Sequence, residues 1–333
     1  MPMNRNISNL IFSGGGILGI SYLGALDYLY QNNLMNHVKR TAGTSAGAIA
    51  ACITSFQLSF EEIKGIADSL DYRKVISKTE ASLGLILPEE INQTLETVFG
   101  DLNSLYRLAT SYGWFSSSYF YHWIRGVIKE QFNQKKLPPY TFQDFQNPSL
   151  HKNNRSFYDL YVIGSNLTTG TSQVFSYDTT PTMEVAQAIR ISMSIPLFFE
   201  AVMLKDPKIT GNSLTNVFCD GGLMNNYPIR LFDSYRYNPK LVDGANMESL
   251  GIRFLSASQP KEINNLLDYI TRLALASGYI QQEDYRESTL DQIRSISIDT
   301  MNISALDFNI TTGDSTYQQL YRFGYYAAED YFT

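Results

Sequence analysis

The chain has 333 residues, 44% of them hydrophobic, which is enough to bury a large core as one domain or as a domain with a cap. Its formal net charge of −6 offers no footprint for nucleic acid and no strong attraction to anionic membranes. No apolar run reaches the roughly 18 residues a membrane span needs, and the polar start Met1-Pro2-Met3-Asn4-Arg5-Asn6 lacks the apolar stretch of a secretion signal. Cys52 and Cys219 sit in apolar surroundings and read as buried small hydrophobes rather than a disulfide framework. The expectation is a protein of the reducing cytoplasm.

Apolar periodicity and turn residues predict strands near 8–12, 37–42, 159–165, 171–177, 214–219 and 250–255. Helices are predicted near 18–33, 46–57, 60–70, 88–99, 117–133, 182–192, 260–280 and 315–331. This alternation is the pattern of a layered α/β sheet. Residues 60–150 are mostly helical on this reading and are expected to cap the site from within a single domain running from residue 7 to 333.

The first chemical signal is Ser13-Gly14-Gly15-Gly16-Ile17-Leu18-Gly19, between the apolar Leu10-Ile11-Phe12 and a segment with Ile20, Leu23, Leu26 and Leu29 at helical spacing. A strand, glycine loop and helix in that order aim backbone N–H groups at an anion. Gly14-x-Gly16-x-x-Gly19 formally matches a dinucleotide fingerprint, but the acidic residue expected about 20 positions on is missing from Asn36-His37-Val38-Lys39-Arg40. The amides of Gly14, Gly15 and Gly16 therefore read as an oxyanion hole, and no cofactor is expected.

Gly43-Thr44-Ser45-Ala46-Gly47 follows, a serine between two glycines after a short apolar run. Such a spacing sets the hydroxyl on a strained strand-to-helix turn, where bulk at either flank would strike the neighbouring backbone. A histidine base would ordinarily come late in the chain. The histidines here are His37, His122 and His151, the last in the polar run His151-Lys152-Asn153-Asn154-Arg155, which is expected to be a solvated loop. If Ser45 is a nucleophile, another group must take its proton.

Between elbow and second half, Tyr106–Ile128 holds Tyr112, Trp114, Phe115, Tyr119, Phe120, Tyr121 and Trp123. Its aromatics suit either a core helix or a lid at a lipid interface, and periodicity leaves both open. Arg190, in an otherwise apolar helix end, is expected to pair structurally. Asp220, in Cys219-Asp220-Gly221-Gly222, follows the strand-like Leu214-Thr215-Asn216-Val217-Phe218 and is the candidate base, since desolvation beside a hydroxyl strengthens a carboxylate as a base. Asn225-Asn226-Tyr227-Pro228 then reads as a loop closed by a proline.

The blocks Gly14-Gly15-Gly16-Ile17-Leu18-Gly19, Gly43-Thr44-Ser45-Ala46-Gly47, Ala188-Ile189-Arg190-Ile191-Ser192-Met193-Ser194-Ile195-Pro196 and Asp220-Gly221-Gly222, in that order, resemble the patatin-like phospholipases. The resemblance implies a three-layer α/β/α patatin-like fold with a mostly parallel central sheet, helices on both faces and a helical cap. It implies a Ser45–Asp220 dyad, with Gly19, Gly43, Gly47, Gly221 and Gly222 in support, acting without metal on a glycerolipid at a membrane surface. Members usually carry Lys or Arg where this chain has Leu18, so a cationic phosphate contact is not expected from that position. Acyl transfer to an alcohol uses the same dyad, and a non-catalytic lipid-binding module would keep the same fold. The family includes storage-tissue hydrolases, bacterial effectors delivered into host cells and activated there, and signal-gated defence enzymes, and the residues fit all three settings.

Overall fold

The computed structural model describes residues 6–76, 102–255, 262–264, 266–286, 288–301 and 303–333. The expected helix at 88–99 lies outside them. The strands are β1 (Asn9–Phe12), β2 (Arg40–Thr44), β3 (Gly113–Phe115), β4 (Asp159–Asn166), β5 (Thr171–Phe175), β6 (Leu197–Phe199), β7 (Val202–Leu204), β8 (Asn216–Asp220), β9 (Ser249–Leu255) and β10 (Ser295–Asp299). The main helices are α1 (Ser21–Gln31), α2 (Ala46–Ser55), α3 (Phe60–Asp68), α4 (Leu102–Ser111), α5 (Ser118–Lys129), α6 (Val185–Ser192), α7 (Leu266–Arg286) and α8 (Ser315–Phe332).

The central sheet runs β10-β9-β1-β2-β4-β8-β7, with β5 also on β4, and β3 pairs with β6 apart from it. Strands β10, β9, β1, β2 and β4 are mutually parallel, while β5, β8 and β7 complete the sheet antiparallel. The protein is a mixed α/β fold around a mostly parallel sheet. Each residue of β1 is buried, as a central strand covered on both faces requires. Its side chains alternate: Leu10 and Phe12 join the large core under α1, α2, α6 and α8, and Ile11 joins a smaller cluster with Ala42, Tyr161, Tyr227, Ile229 and Phe232. The two covering layers are thus unequal, and the thinner one is built largely from the chain that follows Asp220.

Helix α1 packs on α8 at a glycine crossing. A Cβ on Gly24 would lie 1.8 Å from the Tyr321 carbonyl oxygen, and one on Gly324 would lie 1.7 Å from that of Ser21, so the two backbones approach more closely than any larger residue allows. Helix α3 starts where Ser59 and Glu62 form a reciprocal capping box, and α8 starts where the Asp314 side chain accepts from Tyr317 N–H.

The topology itself creates the site. On one edge of β4, β2 pairs up to Thr44↔Ile163, and β8 enters antiparallel from the other end up to Asp220↔Gly164. The other edge of both β4 residues is held by β5. Two strands therefore run head to head along one edge, and their last residues, Thr44 and Asp220, face adjacent positions of β4. Asp220 ends the strand that the run before it predicts, and it reaches the C-terminal edge of the parallel strands from an antiparallel strand pointing into it.

Candidate active site

Ser45 leaves β2 with φ 55° and ψ −125°, a left-handed conformation that a serine holds only under constraint from its surroundings. The constraint is the close passage of chain on both sides. A Cβ on Gly43 would lie 2.1 Å from the Gly47 carbonyl oxygen, and one on Gly47 would lie 2.4 Å from that of Phe12. Either alanine would push the elbow off β1 and α2.

Two serines of the α6 terminus, unmarked by the sequence reading as site residues, hold the elbow and the candidate base together. Ser192 Oγ accepts from Ser45 N–H at 2.8 Å and donates to the Ile163 carbonyl at 2.5 Å. Asp220 N–H donates to the Ser194 carbonyl at 2.8 Å. The block Ala188–Pro196 thus has a physical task, since it grips the backbone of both candidate catalytic residues. Arg190, as expected, is structural: Nε donates to Ser117 Oγ at 2.8 Å, and the guanidinium pairs with Glu200 and lies over the Tyr121 ring.

Asp220 is buried beside the Ser45 hydroxyl and accepts Gly222 N–H at 2.6 Å. Burial pushes its carboxyl up to about 7, against the lowering effect of those two neighbours. A carboxylate so desolvated is a competent proton acceptor near neutral pH, which an exposed one is not.

The glycine loop departs from expectation at one point. Gly14 N–H donates to the Asn226 carbonyl at 2.8 Å, so this amide anchors the loop and is not a free donor. Gly15 and Gly16 N–H have no acceptor among the described residues. Gly16 sits at φ 54°, and Ile17 N–H donates at 2.9 Å to the Ala305 carbonyl, which backs the loop. The loop amides left without an acceptor among the described residues are thus those of Gly15 and Gly16.

Ser45, Asp220 and the glycine loop open into a cavity of about 360 Å³ whose far wall is α7, through Thr271, Arg272, Leu275, Gly278 and Gln281, with the 300–306 loop beside it. Residues 60–150 were expected to cap the site, but none of their described members lines this cavity. Leu18 lines it as a buried apolar side chain, and Arg253 on β9 places a guanidinium in the same wall. Most of the aromatic stretch is core: Trp114 and Phe115 are buried, and on α5 Phe120, Ile124 and Ile128 form one inward face, whereas Tyr106 and Tyr112 are exposed.

His151 is not in a solvated loop. It is fully buried, stacked on Phe157 at 3.6 Å, with Nδ1 2.7 Å from the Arg155 carbonyl and Nε2 2.9 Å from that of Asp144. Burial lowers its pKa despite those two acceptors. Being absent from the cavity wall, it is a packing residue. His151→Ala is expected to cost about 2–4 kcal/mol of stability, as loss of a buried ring and its hydrogen bonds does. Turnover per folded molecule should stay within about twofold of the parent, a comparison made by thermal melting and by rates taken well below both transitions.

A mostly parallel sheet that presents a serine on a strand-to-helix elbow, beside a carboxylate from a neighbouring strand, defines a class of α/β proteins built for acyl chemistry. A family model for patatin-like phospholipase matches residues 10–233, and the chain belongs to that family of lipid hydrolases. The four sequence blocks all begin and end inside the matched span. Uncharacterized protein R571 of Acanthamoeba polyphaga mimivirus is 27% identical over 315 residues, 93% of this chain and 89% of that one. Probable lipid hydrolase 463L of Invertebrate iridescent virus 6 is 26% identical over 228 residues, 68% of this chain and 63% of that one. The crystal structure of VipD from Legionella pneumophila shares the fold, with a TM-score of 0.57 at 17% identity, covering 98% of this chain and 67% of that one.

Proposed function

We propose that the chain is a phospholipase A-type enzyme that cleaves carboxylic esters of glycerophospholipids through a Ser45–Asp220 dyad, working as one domain over residues 7–333. The observation that carries this reading is the placement of Ser45, on a strained elbow, beside a buried Asp220 in a cavity with no histidine among its described lining residues. Ser45 Oγ attacks the acyl carbonyl as Asp220 takes its proton, and the Gly15 and Gly16 amides receive the oxyanion. Collapse of the tetrahedral intermediate returns that proton to the departing lysophospholipid oxygen. Water, deprotonated by Asp220, then releases the fatty acid from Ser45. Each step is served by side chains and amides, so the reaction draws on no calcium.

Arg253 and Arg272 are the guanidinium groups that a phosphate-bearing substrate would meet in the cavity wall, which they share with Glu262 and Asp268, whereas Leu18 brings no charge. Contact with a lipid surface is assigned to α7. Leu266, Tyr269 and Leu273 lie exposed on one side of this helix, while Thr271, Arg272 and Leu275 face the cavity. Among the described residues no helix is long and apolar enough to cross a membrane, so this contact would be peripheral.

The test is a digest of mixed glycerophospholipid vesicles followed by lipid mass spectrometry. Equal amounts of free fatty acid and lysophospholipid are expected from the parent and neither from Ser45→Ala. Acyl groups appearing on an added alcohol, with no free acid, would make the protein a transferase. Leu273→Ser with Tyr269→Ser should reduce vesicle hydrolysis about tenfold while leaving a short soluble ester within about twofold. Trp114→Ser should lower thermal stability and affect both substrates alike, which is how a core residue behaves.

A further inference from the structure

Gln281, on the cavity side of α7, has both ends of its amide engaged by the loop that follows Asp220. Nε2 donates to the Gly222 carbonyl at 2.8 Å and to that of Leu223 at 3.3 Å, and Oε1 accepts Asn226 N–H at 2.7 Å. These backbone groups belong to the two halves of the site. Gly222 N–H donates to Asp220 Oδ1 at 2.6 Å. The Asn226 carbonyl accepts Gly14 N–H at 2.8 Å, and Asn226 Nδ2 donates to the Gly14 carbonyl at 3.3 Å. Between them, Thr44 Oγ1 donates to the Asn225 carbonyl at 2.9 Å, tying the same loop to the elbow. Four residues further along α7, Tyr285 donates its hydroxyl to the Tyr227 carbonyl.

We infer that Gln281 is a positioning residue, holding residues 222–226 so that Gly222 N–H stays on the base and Asn226 stays on the oxyanion loop. One side chain on the wall that a substrate must occupy thereby fixes the base and the oxyanion donors relative to each other. A primary amide suits the task because it donates and accepts at once, and a planar group bound at both ends cannot rotate away. The role rests on the Ser45–Asp220 reading. The other charged side chains of the cavity, Arg253 on β9, Glu262, and Asp268 and Arg272 on α7, are left in place by the substitutions below.

Gln281→Met keeps the length and removes both hydrogen-bonding functions. On a short soluble ester it is expected to lower kcat about tenfold or more with KM within about threefold. The acid limb of kcat should also move to higher pH, because a carboxylate that loses the Gly222 donor is harder to ionise. Simple loss of packing would lower stability without moving that limb. Gln281→Glu is the second variant: it keeps the acceptor for Asn226 N–H, loses the donor to Gly222 and adds negative charge, so it should move the limb the same way even if the Met variant does not fold. A folded Gln281 variant with the parent's acid limb overturns the positioning role while Ser45→Ala inactivity keeps the dyad. Turnover that survives Ser45→Ala removes the dyad, and this role with it.

Discussion

Asp220→Asn and Ser45→Ala are each expected to lower acyl-ester turnover by about four orders of magnitude or more, the scale of loss when a nucleophile or its base is removed, and the double change should add little if the pair acts as a unit. The base works only when ionised, so parent activity should fall as pH drops through about 7, where burial places the Asp220 carboxyl. Stability should run the other way. A carboxyl whose folded pKa is raised above its unfolded value binds a proton in the native state that the unfolded chain has already lost. Stability therefore declines as pH rises from the ordinary carboxyl range to about 7 and stays at the lower level above it. Asp220→Asn removes that ionisation, and melting curves at pH 8 are expected to show a higher Tm than the parent's, with little difference at pH 4. An equal Tm at both pH values would mean that Asp220 is not a strained buried acid.

Gly16→Ala is expected to cause the next largest loss, through the backbone alone. At φ 54° an L side chain is strained, and its Cβ would lie 2.0 Å from the Ala305 carbonyl oxygen, which cannot move without releasing Ile17 N–H. Displacing one oxyanion donor costs about 2.7–4 kcal/mol, or roughly 100- to 1,000-fold in kcat, with a smaller change in KM. Gly15→Ala should follow the same pattern, since its Cβ would meet the buried Phe254 ring at 2.3 Å. The contrast is the informative part. Asn226 Nδ2 donates to the Gly14 carbonyl, so Asn226→Ala should loosen the loop and reduce kcat by a smaller factor than Gly16→Ala, since the Gly15 and Gly16 amides themselves remain. Steady-state kinetics on a soluble ester would rank the three.

What could be read from the sequence was what short-range sterics and composition decide. The elbow was legible because only glycine fits at Gly43 and Gly47, and Asp220 because no histidine stands late enough in the chain to take its place. Long apolar runs gave β1, β4 and β9 and most helices to within a few residues. Contacts between distant segments were not legible. Gly14 is bound to Asn226 and Ser45 to Ser192, pairs 212 and 147 positions apart, and nothing local announces either. Helix α7 runs to Arg286 where the periodicity ended it near 280, and that difference hid Gln281 and Tyr285 on the cavity side. Helical content likewise says nothing about which helices face a cavity, and the described members of 60–150 do not line this one. His151 was misread because its neighbours Lys152, Asn153 and Asn154 are exposed, and the imidazole alone turns inward onto Phe157. Strands β3 and β6 have three residues each, too few for any period to register. In β10 the alternation Ser295-Ile296-Ser297-Ile298 was present in the sequence and went unused.

The central claim is that Asp220 activates Ser45 directly, without a histidine between them. It is tested most directly by the rate at which an organofluorophosphonate labels the protein as a function of pH, with the modified residue located by peptide mass spectrometry in the parent and in Asp220→Asn. The account predicts a single adduct on Ser45, a parent labelling rate that falls as pH drops through about 7, and a rate in Asp220→Asn that is slower by at least about a thousandfold and has lost that limb. An adduct on another residue, or a limb near pH 7 that persists in Asp220→Asn, would contradict it.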